Sequence, residues 1–314
     1  MFTSTPPNVQ AALLGIVGLL AVGTAVIILL NRLLPGAQWT EINRRCRTWW
    51  VMVGTFCTAM AFGRGVSLAF FALISFAALR EFLTLTAARP VDRPLLLLAY
   101  GTIPIQYACI LTGRLDIFML SVPLTGLLLL SPGLVFAGGP QGYLRAAGNL
   151  NWGLMVTVFG LGHLGCLLML PAAGNALGGG AGLLIYLVFL AQFSDVVQYV
   201  AGRLFGRRRV VPRLSPGKTW AGLIAGLVVA TVLGALLAPW LTPLDTRQGL
   251  VAGLLIGVSG FVGDITISAV KREHGVKDMG ALLPGHGGVL DRVDSLIFAA
   301  PLFFHFVYWL HYQG

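Results

Sequence analysis

The chain has 314 residues, of which 57% are hydrophobic and only 10% charged, with 41 glycines and a formal net charge of +10. A soluble globular domain carries about 25% charged side chains, so the composition excludes one. The positive balance does not point to nucleic acid either, because the basic residues lie in short segments between apolar stretches and form no basic face.

From the N-terminus onward, apolar stretches near the ~20 residues that cross a bilayer recur along the whole chain. They predict ten helical spans, at about 11–31, 49–63, 65–79, 95–112, 116–137, 151–171, 181–202, 220–240, 249–270 and 295–312. Backbone amides in lipid must be satisfied internally, which favours helices, and the alternation of a membrane β-barrel is absent. The expected fold is therefore all-α, a polytopic integral membrane protein with nine or ten transmembrane helices. The second and third spans are short, and Gly63-Arg64-Gly65 between them predicts a tight turn. Residues 1–10 lack a basic segment and the apolar run after them is too long for a cleaved signal, so it reads as the first span. Residues 1–150 are expected to form an N-terminal set of transmembrane helices and 151–314 a C-terminal catalytic region.

An uncharged N-terminus on the outside puts 18 of the 21 basic residues in inner loops. By the positive-inside rule this orients the polar segments 203–219 and 271–294 toward the cytoplasm. Cys46, Cys57, Cys109 and Cys166 are scattered and predict small buried hydrophobes, with neither disulfides nor a metal site. Arg80-Glu81 reads as a surface pair, and His163 as a satisfied contact between helices.

The seventh span carries a polar stripe of Asp195, Gln198, Tyr199, Gly202 and Arg203 on one face. It serves either an interhelical ion pair or a site. After Arg207, Arg208, Arg209 and Arg213 comes Ser215-Pro216-Gly217-Lys218-Thr219-Trp220, where Ser215 as N-cap and Pro216 at the first helical position predict the start of the eighth helix. On the ninth span Gly253, Gly257, Gly260, Asp264, Ser268 and Lys271 share a face. Asp264 lies roughly 10 Å inside the helix end, at about 1.5 Å per residue. A carboxylate at that depth is expected to be neutralised or to hold a cation. The loop then runs to Pro284-Gly285-His286-Gly287-Gly288, whose amides can point at phosphate oxygens. Asp291, Asp294 and Ser295 open the last span, either as helix caps or, with Asp264, as ligands of Mg²⁺. His274 and His286 lack zinc spacing.

The string S-x-x-K-R-x4-K-D-x5-P-G-H-G-G-x-x-D-R-x-D, from Ser268 to Asp294, resembles the signature of phosphatidate cytidylyltransferases (CDP-diacylglycerol synthases). Ser194-Asp195-Val196, Tyr199, Gly202, Phe205-Gly206 and Ser215-Pro216-x-Lys218-Thr219-Trp220-x-Gly222 look like further blocks of that family, in the same order. The resemblance covers residues 190–300. Gln198, Gly217 and Ala221 depart from the alanine, lysine and glutamate usual there.

The resemblance implies transfer of CMP from CTP to phosphatidate, giving CDP-diacylglycerol and pyrophosphate. It implies Asp264 and Asp291 as metal ligands for Mg²⁺, with a second ion such as K⁺. Lys271 and Arg272 join them as catalytic residues. Asp195, Ser215, Lys218, Thr219, Ser268, Lys277, Asp278, His286, Gly287, Gly288, Arg292 and Asp294 are the expected substrate-binding set. The implied partners are CTP, phosphatidate and membrane lipids, with no nucleic acid and room for a homodimer. The implied place is the inner membrane of a bacterium, with the active site on the cytoplasmic side. A CTP-dependent lipid-alcohol kinase and an ion-coupled transporter are the alternatives.

Overall fold

A computed structural model describes residues 6–33, 38–86, 93–138, 140–172, 175, 177–283, 285 and 287–312. Helix α1 spans Pro7–Leu33, α2 Gln38–Ala61, α3 Arg64–Leu85 and α4 Arg93–Leu111. α5 covers Leu115–Gly138 and α6 Tyr143–Met169, each interrupted by a π-helical turn, at Thr125–Leu130 and Met155–Gly160. α7 runs Gly179–Phe205, followed by a hairpin of β1 (Arg209–Val211) and β2 (Ser215–Thr219). α8 (Trp220–Leu241), α9 (Thr246–Glu273) and α10 (Leu290–His311) complete the chain. The all-α polytopic expectation therefore holds.

Among the described residues nine helices are long and apolar enough to cross a membrane; α2 falls outside that set. Its first half carries Arg44, Arg45 and Arg47, which lower its hydropathy. Its contacts nevertheless run the depth of the bundle. Arg44 Cγ lies 3.2 Å from where a Cβ on Gly285 would be, in the loop after α9. At the other end Ser67 of α3 donates to Ala59 O at 2.9 Å. The expected second span, 49–63, is thus the C-terminal part of a helix outside those nine, so nine of the ten predicted spans have a helix of membrane-crossing character among the described residues, and α3 runs past its predicted end at 79.

α7 to α10 pack most closely, because small residues let their backbones approach. A Cβ on Gly253 of α9 would press into Ala230 O of α8 and stand 2.9 Å from Thr231 Cα. Buried Tyr186 of α7 ties the pair together, donating to Gly234 O at 2.9 Å and to Gly249 O at 3.3 Å. Gly253→Ala is expected to cost about 1–3 kcal/mol, the usual penalty of overpacking. A lowered thermal midpoint in detergent checks this; an unchanged one would show that the contact yields freely. Outward faces such as Leu14, Val22 and Leu29 of α1 stay apolar and exposed, as lipid requires.

One sequence expectation fails at 209–219. Ser215 does not cap the eighth helix: the segment is an antiparallel hairpin pairing Arg209 with Thr219 and Val211 with Ser215. Pro216 is tolerated there because a two-stranded hairpin has free edges. The cap of α8 is Thr219, whose Oγ1 accepts from Gly222 N at 3.2 Å. The four cysteines are free; Cys109 and Cys166 are buried as expected, whereas Cys46 and Cys57 are only half-buried. His163 is fully buried among Phe118, Phe159 and Phe304, an interhelical aromatic contact, with Nδ1 bonded to Phe159 O at 2.8 Å within its own helix; it is only half satisfied, because Nε2 has no hydrogen-bond partner among the described residues.

Candidate functional site

Helix α9 sets the line of the site. Asp264, Ser268 and Lys271 follow at i, i+4 and i+7, so one face bears a carboxylate, a hydroxyl and an ammonium in sequence. Ser268 Oγ donates to Asp264 Oδ1 at 3.3 Å. Lys271 Nζ crosses to α10 and pairs with Asp291 Oδ1 at 2.8 Å, with side chains only 11% and 1% exposed. Asp291 Oδ2 also accepts from Met279 N at 2.8 Å and Gly288 N at 2.9 Å. This carboxylate therefore joins α9, the loop and α10.

The hairpin delivers Lys218, whose Nζ pairs with the second oxygen of Asp264 and lies 5.8 Å from the centroid of the Phe261 ring. Burial favours loss of its proton, but the charges of Asp264 and Asp195 outweigh that and raise its pKa above the ordinary lysine value. A raised lysine pKa stabilises the fold below the unfolded value, and the gain is lost only as pH climbs through the folded one. Lys218 is thus cationic throughout the neutral range. Asp195 of α7 stands within electrostatic reach of Lys218, Asp264 and Arg292. Buried Asp294 of α10 faces Asp264, Asp195, Lys271 and Arg292, and its Oδ1 accepts from Ser295 N at 2.9 Å. Arg292 Nε is buried without a hydrogen-bond partner among the described residues.

Four carboxylates from three helices thus meet three cationic side chains. Among the described residues no three His, Cys, Asp or Glu side chains converge as a metal-binding group. The donors present still fit Mg²⁺, which takes one or two protein carboxylates and completes its shell with water and substrate phosphate. Asp264 and Asp291 each offer a hard oxygen now held only by a lysine ammonium.

The other expected residues are engaged elsewhere or line the edge of this cluster. Arg272 does not open toward a phosphate: its Nε donates to Leu214 O at 3.0 Å and its Nη1 to Val276 O at 2.8 Å, stapling the hairpin to the loop. The Thr219 hydroxyl is taken up by the α8 cap, and Ser215 lies in the hairpin's second strand. Lys277 and Asp278 are exposed on the loop, and the Asp278 side chain borders Gly287 beside Asp291: a Cβ on Gly287 would lie 3.0 Å from Asp278 Cβ. Gly287 adopts φ +80°, and a Cβ there would stand 2.6 Å from Asp291 Oδ2, so only glycine fits. Gly288 gives its amide to Asp291. His286 lies outside the described residues.

Sequence reasoning missed Glu81. It is no surface pair: α3 continues past the predicted end at 79, and the Glu81 carboxylate accepts from Val289 N and Leu290 N, each at 2.9 Å. The only available signal was a glutamate near the end of a helix in a chain with 11 acidic residues.

A profile of the cytidylyltransferase family matches residues 43–310. "Uncharacterized protein YnbB" of Escherichia coli (strain K12) is 44% identical over 303 residues, 96% of this chain and 99% of that protein. "Phosphatidate cytidylyltransferase" of Haemophilus influenzae is 41% identical over 134 residues, 41% of this chain and 46% of the relative. The protein of that name from Pseudomonas aeruginosa is 45% identical over 125 residues, 39% of this chain and 46% of the relative. The two proteins bearing that enzyme name are therefore matched over less than half their length.

Proposed function

The chain belongs to the cytidylyltransferase family, and from that premise we propose that it transfers CMP from CTP to phosphatidate, yielding CDP-diacylglycerol and pyrophosphate. The observation that carries this reading is the pair of carboxylate–lysine contacts, Asp264 with Lys218 and Asp291 with Lys271, at one end of a membrane bundle. The basic residues crowd the loops at that end, which favours its facing the cytoplasm of a bacterial inner membrane, where CTP is found.

The reaction joins two anions. A phosphatidate oxygen attacks the α-phosphorus of CTP; a new P–O bond forms and the bond to the β-phosphate bridging oxygen breaks, releasing pyrophosphate. A phosphomonoester is already a nucleophile, so the chain needs no Ser, Cys or His to form a covalent intermediate. Its task is to hold the anions together against their repulsion. Lys218, Lys271 and Arg292 are the cations placed for this, and in a water-poor setting each acts more strongly than it would in solution. Asp195 and Asp294 keep those cations oriented. Asp264 and Asp291 would hold Mg²⁺, with a second ion such as K⁺ beside it. When bound, the metal supplies charge neutralisation on the triphosphate and on the leaving pyrophosphate.

Purified protein in detergent, given phosphatidate, α-labelled CTP and Mg²⁺, is expected to form labelled CDP-diacylglycerol and pyrophosphate in equal amounts. Release of CDP with phosphorylation of a lipid alcohol would assign a kinase instead. No turnover with either lipid class would reject the reading.

A further inference from the structure

Helix α10 begins without a cap of its own. Val289 at its N-cap position is helical, at φ −64° and ψ −43°, and makes no side-chain cap, while Asp291 of the helix reaches back only to Gly288 N. A buried helix end with open N–H groups is costly. Here the missing acceptors come from the other half of the chain. Glu81 of α3, 208 residues earlier, accepts from Val289 N at 2.9 Å, and its second oxygen accepts from Leu290 N at 2.9 Å. Its negative charge also sits where a helix N-terminus favours one.

The surroundings are shaped to admit that carboxylate. A Cβ on Gly280 would lie 2.8 Å from Glu81 Oε1, and one on Gly288 would run into Glu81 Oε2. Both loop strands are thus bare where the glutamate passes. The adjoining amide, Gly288 N, goes to Asp291. Two carboxylates, one from α3 and one from α10 itself, therefore take three successive amides, those of Gly288, Val289 and Leu290, leading into this helix.

We propose that Glu81 is a positioning residue that supplies the cap α10 lacks and so fixes the segment bearing Asp291 and Arg292. This rests on reading that segment as part of the reaction centre. A consequence is that the amides of Gly288, Val289 and Leu290 are already taken and do not cradle a phosphate in this arrangement.

The test compares wild-type protein with Glu81→Gln, Glu81→Ala, Gly288→Ala and the Glu81→Ala/Gly288→Ala double variant, all purified in full length. Hydrogen exchange is read on peptides covering 287–292 and on α9 as an internal reference. Glu81→Gln keeps the shape but turns one acceptor into a donor facing an N–H. It is expected to speed exchange at 287–292 roughly tenfold, the scale of one charge-assisted hydrogen bond, with α9 unchanged. It is also expected to lower kcat by a similar factor while KM for phosphatidate and the thermal midpoint hold. Gly288→Ala is expected to perturb the same peptides through its clash with Glu81, and the double variant to be no worse than Glu81→Ala alone. Unchanged exchange at 287–292 in Glu81→Gln, additive losses in the double variant, or a kcat loss that merely follows global melting would each overturn the proposal. If the wild-type protein transfers no nucleotide, the proposed function fails, while the exchange comparison still decides whether Glu81 holds the segment.

Discussion

Asp291→Asn is expected to remove turnover and to destabilise the fold at the same time. The carboxylate is 1% exposed and meets the Lys271 ammonium and the amides of Met279 and Gly288. Asparagine is neutral, so Lys271 would be left charged, buried and unpaired. Breaking a buried ion pair from one side costs about 3–5 kcal/mol, and one of the asparagine's two terminal atoms would face N–H groups as a donor. The loop between α9 and α10 would loosen with it. Losing a preorganised electrostatic group of this kind lowers kcat by roughly 10²–10³-fold. Activity assays and thermal denaturation of the same preparation check both halves. Normal melting with normal activity would remove Asp291 from the site altogether.

Asp264→Asn should separate the two effects. Its kcat loss is expected to match, roughly 10²–10³-fold, but its stability should change little. The reason is the remaining partners: Lys218 also feels the charges of Asp195 and Asp294, so it is not left alone once Asp264 is neutral. The decisive readout besides activity is thermal stabilisation by Mg²⁺ with CTP, which should vanish in Asp264→Asn and persist in wild type. A variant still stabilised by Mg²⁺ with CTP, and still active, would refute the metal assignment.

The two variants differ because of what surrounds each carboxylate, and the sequence does not contain that difference. In the sequence Asp264 and Asp291 are two acidic residues in one motif. In the fold, one sits on a helix face open to the hairpin, and the other closes a buried junction. Arg272 and Glu81 show the same gap more sharply. Arg272 follows Lys271 directly and reads as a phosphate ligand, yet the helix turn between them points its guanidinium at Leu214 O and Val276 O. Glu81 reads as a surface charge, yet a contact across 208 residues makes it the cap of α10.

The positions of the helices were legible from the sequence, because crossing a bilayer is a local requirement met by about 20 apolar residues in a row. Their ends were less so, since a helix such as α2 or α3 continues past its apolar core into charged turns that hydropathy does not register. The grouping of Asp264, Ser268 and Lys271 was also legible, because helical periodicity alone puts them on one face. What only the tertiary structure decided is pairing: Lys218 with Asp264, Lys271 with Asp291, and Glu81 with the first turn of α10. Those contacts join segments far apart in the chain, and their geometry depends on how glycine-lined helices approach one another, which no short window of sequence specifies.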